Sequence, residues 1–312
     1  MSLAFVFPGQ GAQYVGMGKA LAQAYPIAKK TILEADEILG FAISQMIFEG
    51  PEDQLRLTYN TQPAIMAVSV AAWRAFQESF ALTPAFVAGH SLGEYTALVA
   101  AGAIAYEDAL RLVYKRGQLM DAAVPDGAGA MAAVLGADVD LLTQLCETIS
   151  QETGYSVAMA NINCPGQVTV SGATSAVEEL IKRAPEAKAR RAVMLDVSGP
   201  FHSSMMDTAA DQLSQALHVP PWNPPQMPIM ANVSAEMLTT ADSVKAALRA
   251  QLAAPVLWER SIKNMVALGV DVFVEIGPGT VLSGLIRKTD KSVKTLHVED
   301  PETLVETVKF FQ

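Results

Sequence analysis

Short, continuous apolar runs alternate with longer amphipathic segments along most of the chain. Runs such as residues 3–7 and 85–88 are too short for helices and predict strands buried on both faces. Longer segments at 26–39 and 106–122 carry apolar residues at helical spacing and predict helices. A further helix is predicted at 61–80, with Thr61 as its cap and Pro63 in its first turn. This alternation favours a doubly wound α/β core with a mostly parallel sheet.

The middle of the chain follows a different order. Strand, helix, strand, strand, helix and strand are predicted in turn at residues 130–135, 139–151, 157–161, 167–171, 175–184 and 192–197. This βαββαβ order is typical of a ferredoxin-like unit. Parallel-sheet runs resume afterwards at residues 229–233, 270–276 and 293–298. We therefore predict a ferredoxin-like subdomain at 126–197, inserted into a catalytic domain made of residues 1–125 and 198–312.

The junction between the run at 85–88 and a helical segment at 92–101 has the sequence Gly89-His90-Ser91-Leu92-Gly93. A G-x-S-x-G between a strand and a helix is the context of a nucleophile elbow, as in an α/β-hydrolase-like core. The two glycines fit a turn too tight for side chains there. Ser91 would stand near a helix N-terminus, where N–H groups stabilise an oxyanion. The alternative is an ordinary turn whose serine caps the helix.

His202 is the best candidate for the base that a serine nucleophile needs. It lies in a Gly/Pro loop, Ser198-Gly199-Pro200-Phe201-His202-Ser203, and not on an apolar stripe. His90 adjoins the serine and is expected to point away from it across the turn. The other two histidines have no supporting context. The alternative for His202 is a loop histidine without a catalytic role.

Arg116 falls in the middle of the apolar stripe of the predicted helix at 106–122. An arginine on a buried face requires an anionic partner, and the anion of a substrate is one candidate. The alternatives are an internal salt bridge, or an aliphatic stem that carries the charged group out to water.

Composition and charge exclude several classes of protein. The 312 residues are 51% hydrophobic, which is enough for a large core, and no apolar run approaches the length of a membrane span. The first residues lack the pattern of a signal peptide. The net charge of −10 argues against nucleic acid or an anionic membrane as a general partner. Cys146 and Cys164 lack metal-ligand spacing and suggest reduced thiols, so we expect a cytoplasmic protein.

Several motifs, taken in chain order, resemble the malonyl-CoA:acyl carrier protein transacylase family of fatty acid and polyketide synthesis. The motifs are Gly9-Gln10-Gly11-Ala12-Gln13, Gly89-His90-Ser91-Leu92-Gly93-Glu94-Tyr95, Arg116, Pro200-Phe201-His202-Ser203, Gln251 ahead of Pro255, and Glu275-Ile276-Gly277-Pro278-Gly279. They span nearly the whole chain. One small departure is Ala12, where serine is frequent in the family, and we expect no consequence from it.

The resemblance implies transfer of a malonyl group from malonyl-CoA to the phosphopantetheine thiol of holo acyl carrier protein. The intermediate would be a malonyl-serine, with no metal or other cofactor, and we expect a monomer. The resemblance implies that Ser91 carries the acyl group, that His202 acts as general base and acid, and that Arg116 pairs with the malonyl carboxylate. It also implies that Gln10 and Leu92 supply the N–H donors of an oxyanion hole, and that the main-chain carbonyl of Gln251 orients His202.

Other functions stay open at this stage. A serine esterase or thioesterase would share the nucleophile and the fold, and a trans-acting polyketide acyltransferase would use another extender unit. A non-catalytic acyl-CoA-binding or scaffolding subunit is a third class, although the complete set of serine, histidine and arginine argues against it.

Docking of a carrier protein raises a question of charge. Acyl carrier proteins are typically acidic, as this chain is, so docking requires a local basic patch. Two clusters qualify: an insertion cluster of Lys182, Arg183, Lys188, Arg190 and Arg191, and a C-terminal cluster of Arg287, Lys288, Lys291 and Lys294. Either could instead be a solvated charged face.

Overall fold

A computed structural model describes residues 2–312, which contain ten strands in two sheets and fourteen α-helices. The strands are β1 (Leu3–Phe7), β2 (Phe86–Gly89), β3 (Gly129–Leu135), β4 (Val157–Cys164), β5 (Gln167–Ala173), β6 (Arg191–Met194), β7 (Ile229–Met230), β8 (Met237–Leu238), β9 (Val272–Ile276) and β10 (Lys294–Val298). The helices are α1 (Lys19–Ala24), α2 (Pro26–Leu39), α3 (Ile43–Glu49), α4 (Glu52–Leu55), α5 (Thr58–Ser79), α6 (Gly93–Ala100), α7 (Tyr106–Asp121), α8 (Val139–Thr153), α9 (Thr174–Arg183), α10 (Asp207–Leu217), α11 (Ala241–Gln251), α12 (Trp258–Ala267), α13 (Val281–Thr289) and α14 (Pro301–Phe311). None of these helices is long and apolar enough to cross a membrane.

The larger sheet has the strand order β10-β9-β1-β2-β7-β8. Its pairs are parallel except for β7 with β8, so the predicted mostly parallel sheet is confirmed. Strand β1 lies in the middle, and its residues alternate between two cores: Phe5 and Phe7 pack on one face, Ala4 and Val6 on the other. A central parallel strand is buried on both faces, which explains why its sequence is apolar without interruption.

The smaller sheet is antiparallel, with the order β4-β5-β3-β6. Together with α8 and α9 it forms the predicted βαββαβ unit, which is confirmed. The unit has its own core, in which Val134 and Val170 of the sheet pack with Leu142 and Leu180 of the helices. All four strands fall within residues 126–197, while the exact domain limits stay a prediction.

The longest helix, α5, begins earlier than predicted. Thr61 does not cap it, because the helix starts at Thr58 and the Thr61 hydroxyl donates to the Leu55 carbonyl at 2.6 Å. Pro63 therefore lies inside the helix, where it removes one main-chain hydrogen bond. This earlier start places Gln62 on a fully buried part of the helix.

Strand β7 is shorter than the apolar run at 229–233 suggested. The chain turns back after Met230, with a hydrogen bond from the Ala231 N–H to the Glu236 carbonyl at 2.9 Å. Ala235 adopts a left-handed φ of 56° in this turn, and β8 then pairs antiparallel with β7. The turn places Asn232 beyond the carboxyl end of a sheet strand, with its side chain fully buried. Ligand sites in open α/β sheets lie at that edge.

Candidate active site

Ser91 occupies a tight turn between β2 and α6. Its φ of 51° is left-handed, a strained conformation for a residue with a side chain. A Cβ at Gly89 would overlap the main chain of Gly93, and a Cβ at Gly93 would overlap the Phe7 carbonyl of β1. Only glycine fits at both positions, so the structure supplies the steric reason for the G-x-S-x-G pattern.

Asn232 braces this turn from the neighbouring strand. Its Oδ1 accepts from the Ser91 N–H at 2.7 Å, and its Nδ2 donates to the Gly89 carbonyl at 2.7 Å. One buried amide thus satisfies a donor and an acceptor of the strained turn, each of which would otherwise cost about 1–3 kcal/mol. Asn232 was not identified from the sequence, although a single polar residue inside the apolar run at 229–233 was the available indication.

Ser91 and His202 lie in direct contact. Ser91 Oγ is 2.8 Å from His202 Nε2, and His202 Nδ1 is 2.8 Å from the Gln251 carbonyl oxygen. Because a carbonyl only accepts, Nδ1 carries the proton, which leaves Nε2 free to accept the Ser91 hydroxyl. Burial, with the nearby Arg116 charge, lowers the pKa of His202 to about 3. The imidazole is therefore neutral near pH 7, the state that a general base requires.

The Arg116 side chain is almost fully buried, with 1% exposure. Nη1 donates to Gln62 Oε1 at 2.8 Å, and Nη2 donates to Ser91 Oγ and Gln251 Oε1, each at 3.0 Å. Within residues 2–312, Nε has no acceptor, and no carboxylate oxygen lies within 4.0 Å of the guanidinium. Because the side chain is buried, its aliphatic stem does not carry the charged group out to water. The other alternative, an internal salt bridge of Arg116, is absent within residues 2–312.

Glu94 is the nearest acid in the network, and it reaches Arg116 only through Gln251. Gln251 Nε2 donates to Glu94 Oε2 at 2.6 Å and to the Ser91 carbonyl at 2.9 Å. Burial raises the pKa of Glu94 to about 7. From the sequence, a role was predicted only for the carbonyl of Gln251, and Gln62 and Glu94 were assigned none. A single acid in the apolar helix α6 was the indication for Glu94.

Gln10 and Leu92 follow two adjacent strands. The pairing of Phe7 with Gly89 brings the ends of β1 and β2 side by side, so both residues lie at the same sheet edge. Neither main-chain N–H donates to any acceptor within residues 2–312. Two unused donors next to a reactive serine are what an oxyanion hole requires.

A cleft between the two sheets opens onto Ser91 and His202. The larger domain contributes these residues and Gln10, while β4 and β5 contribute Asn161, Asn163 and Thr169. His90 Nε2 lies 2.8 Å from Asn163 Oδ1, so this ring is directed towards the smaller sheet and away from the serine hydroxyl. Residues 2–312 contain no group of three or more side chains suited to hold a metal ion.

Comparisons with known proteins agree over nearly the full length. Residues 4–308 match the family model described as "Acyl transferase domain". The malonyl CoA-acyl carrier protein transacylase of Bacillus subtilis is 48% identical over 98% of this chain and 97% of its own, and that of Escherichia coli K12 is 42% identical over 96% and 97%. A solved acyl carrier protein S-malonyltransferase from Vibrio cholerae superposes with a TM-score of 0.95 at 42% identity, covering 98% of this chain and 100% of its own. A malonyl-transacylase solved in complex with its type II PKS acyl-carrier protein gives 0.97 at 40% identity, covering 99% and 100%.

The lowered pKa of His202 predicts how Ser91 reactivity depends on pH. A base works in its neutral form, so a pKa near 3 in place of 6.5 moves the loss of reactivity to lower pH. We expect the rate of Ser91 modification by a fluorophosphonate probe to stay nearly constant from pH 8 down to about pH 5. An acidic limb centred near pH 6.5, measured by intact mass against time, would contradict the burial argument.

Proposed function

Because the chain belongs to the acyl transferase domain family, we propose that it transfers a malonyl group from malonyl-CoA to the phosphopantetheine thiol of an acyl carrier protein. The resemblance inferred from the sequence motifs is confirmed by relatives that carry the transacylase name. The relative solved in complex with a type II PKS acyl-carrier protein supports the acceptor. The single observation that carries the proposal is the buried Arg116 guanidinium beside Ser91, with no carboxylate from residues 2–312 at ion-pair distance.

In the first half-reaction, His202 Nε2 takes the Ser91 proton while Ser91 Oγ forms a bond to the thioester carbonyl carbon. The oxyanion would lie against the N–H groups of Gln10 and Leu92, and one such donor contributes about 3 kcal/mol in comparable sites. Collapse of this intermediate breaks the C–S bond, and the imidazolium returns the proton to the departing CoA thiol. The products are free CoA and malonyl-Ser91.

The second half-reaction runs the same steps with a new thiol. The phosphopantetheine thiol gives its proton to His202 and attacks malonyl-Ser91, and Ser91 recovers its proton as the ester bond breaks. Every proton is handled by His202, so we propose that neither a metal nor another cofactor takes part. We also propose that the chain acts as a monomer in the cytoplasm, where thiols such as its buried Cys146 and Cys164 stay reduced.

Arg116 explains the choice of a malonyl group. The free carboxylate of the acyl group would lie against the guanidinium and supply the counter-charge that the protein does not place there. Its approach would replace the contact of Arg116 with Ser91 Oγ, which is the atom that becomes acylated. A neutral acyl group would leave this buried charge without a partner.

A serine esterase or thioesterase is the second candidate, because it would use the same serine and histidine. Such an enzyme would release free malonate from malonyl-CoA without an acceptor. A trans-acting polyketide acyltransferase would instead accept another extender unit on Ser91. The Arg116 geometry favours an acyl group that carries a carboxylate, although it leaves the size of that group open.

Intact mass analysis tests the proposed function directly. After mixing with malonyl-CoA, the wild-type chain should gain one malonyl group, and holo carrier protein should then remove it. Ser91→Ala should gain none and keep its fold, since the elbow serine adds little to the core. The neighbouring buried Ser203, bonded to the Pro200 carbonyl, offers a matched control, and Ser203→Ala should still be acylated. A stable malonyl adduct on Ser91→Ala would show that another residue carries the acyl group.

Arg116→Ala should raise the activation free energy of malonyl transfer by about 3–5 kcal/mol, because the bidentate partner of the carboxylate is lost. The rate of malonyl transfer should therefore fall about a hundred- to several-thousand-fold. Acetyl transfer should fall far less, since no carboxylate needs a partner. Arg116→Lys should recover little, because a point charge does not reproduce the planar fork.

The control for this variant is Arg111→Ala on the same helix, where an exposed ion pair with Glu107 is lost and neither rate should change. Both acyl-CoA substrates and the melting temperature are measured on each protein. An unchanged malonyl-to-acetyl ratio in Arg116→Ala would rule out the assigned role.

The structure distinguishes the two basic clusters. In the insertion cluster, Arg183 pairs with Glu152 and Glu186, and Lys188 lies 3.5 Å from Asp138. In the C-terminal cluster, Lys288 Nζ donates to Gln167 Oε1 at 3.2 Å, and Gln167 lines the cleft. We therefore propose that the carrier protein docks on the C-terminal cluster.

Reversal of charge in Arg287→Glu/Lys288→Glu should slow transfer to the carrier about tenfold at low salt, with a smaller effect at high salt. Acylation by malonyl-CoA should be spared, because docking contributes only to the second half-reaction. Lys182→Glu in the insertion cluster is the control. Rapid-quench measurement of both half-reactions decides the matter, and equal losses in the two would exclude a docking role.

A further inference from the structure

Glu94 is a buried acid that the mechanism above does not use. It lies in the first turn of α6, three residues after the nucleophile, with 1% exposure. Its Oε2 accepts the shortest hydrogen bond of the Gln251 side chain, at 2.6 Å. Burying an ionisable group is costly, and in a position next to a reactive serine it suggests a function.

Gln251 connects Glu94 to both functional side chains of the site. Its main-chain carbonyl accepts a hydrogen bond from His202 Nδ1, while its side-chain Oε1 accepts one from Arg116 Nη2. Its Nε2 donates to Glu94 and to the Ser91 carbonyl. A side-chain amide rotates freely unless both of its ends are held; here Arg116 holds the oxygen end, while Glu94 at 2.6 Å and the Ser91 carbonyl at 2.9 Å hold the nitrogen end.

We propose that Glu94 is a positioning residue, whose carboxyl oxygen fixes the Gln251 amide so that this amide in turn holds Arg116 where it receives the malonyl carboxylate. This inference rests on the proposed function. It concerns a residue that touches neither the acyl group nor the reacting atoms, and it predicts an effect on the choice of acyl group that exceeds the effect on Ser91 chemistry.

Glu94 holds the Gln251 amide through its hydrogen-bond acceptor, and a full negative charge on Glu94 is not needed for this. The pKa of Glu94 lies at about 7 because of burial, so the group is only partly ionised near neutral pH while its oxygen stays in place. The ionisable group whose charge acts on Glu94 is Arg116 of α7, which lowers the pKa of Glu94 against the larger effect of burial, and the same charge lowers the pKa of His202. A neutral amide of the same length should therefore replace the carboxyl group.

Two substitutions of Glu94 separate the effect of its side-chain length from the effect of its charge. Glu94→Gln keeps an acceptor at the same distance and removes the charge, whereas Glu94→Asp keeps the charge and withdraws the oxygen by one methylene. We expect Glu94→Asp to lower kcat/KM for malonyl-CoA about tenfold more than for acetyl-CoA. Glu94→Gln should recover most of this preference. In an Arg116→Ala background, Glu94→Asp should no longer change the malonyl-to-acetyl ratio.

Glu275 offers a matched control, since it is a fully buried acid that accepts from the Leu282 and Ser283 N–H groups at the start of α13. Glu275→Asp should lower the melting temperature and leave the ratio of the two substrates unchanged. If Glu94→Asp does not fold, Gln251→Met also removes the connection between Glu94 and Arg116. This variant keeps the main-chain carbonyl that orients His202 and removes the side-chain amide. It should show the same selective loss of malonyl transfer.

Equal losses for both substrates in Glu94→Asp or in Gln251→Met, or a Glu94→Gln variant as unselective as Glu94→Asp, would overturn the inference. Malonyl-Ser91 formation by the wild-type chain is measured in the same series. If the wild-type chain forms no such adduct, the proposed function itself fails. If it does and the variants lose no selectivity, only the role of Glu94 fails.

Discussion

The site depends on one constraint: a cation is held away from water, and no carboxylate in the described part of the chain, residues 2–312, lies at ion-pair distance. An isolated buried charge costs several kcal/mol, and here three neutral oxygens, from Gln62, Ser91 and Gln251, take the place of water around Arg116. The same charge lowers the pKa of His202 and lies 3.0 Å from the nucleophilic oxygen. One residue therefore acts on His202, on Ser91 Oγ and, in the proposed reaction, on the acyl group.

The backbone around Ser91 makes this arrangement possible. Parallel pairing of β1 and β2 places the ends of both strands at one edge, and the tight turn then lifts Ser91 above that edge. The strained φ of the serine persists because Asn232 satisfies the Ser91 N–H and the Gly89 carbonyl in the turn. His202 also has a left-handed φ, of 58°, and its ring is held by a carbonyl at the end of α11. Two of the four non-glycine residues with a left-handed φ within residues 2–312 are thus the pair that exchanges the proton in the proposed mechanism.

The sequence predicted the two sheets and the serine elbow because their patterns are local. Apolar runs and glycine spacing report on steric constraints within a few residues. The start of α5 was predicted wrongly, since the Thr61 hydroxyl bonds back to the preceding turn and Pro63 is tolerated inside the helix. The polar network was mostly invisible to the sequence: Gln62, Glu94 and Asn232 come from three distant elements. Their partners are defined only when the chain is folded, and no spacing rule connects them.

The unusual base fits thioester exchange better than hydrolysis of an amide. A carbonyl in place of a carboxylate gives the imidazolium little stabilisation, and burial lowers the pKa of His202 to about 3. Such a histidine is a weak base, so its imidazolium forms only at a cost in free energy. Expulsion of an amine demands a proton at a very basic nitrogen, whereas a thiol with a pKa of about 8.5 leaves readily. Both half-reactions proposed here exchange thioester and serine ester, so neither requires the strongly stabilised imidazolium of a triad that includes an acid. The same feature that would slow an amidase is therefore compatible with rapid transfer between two thiols.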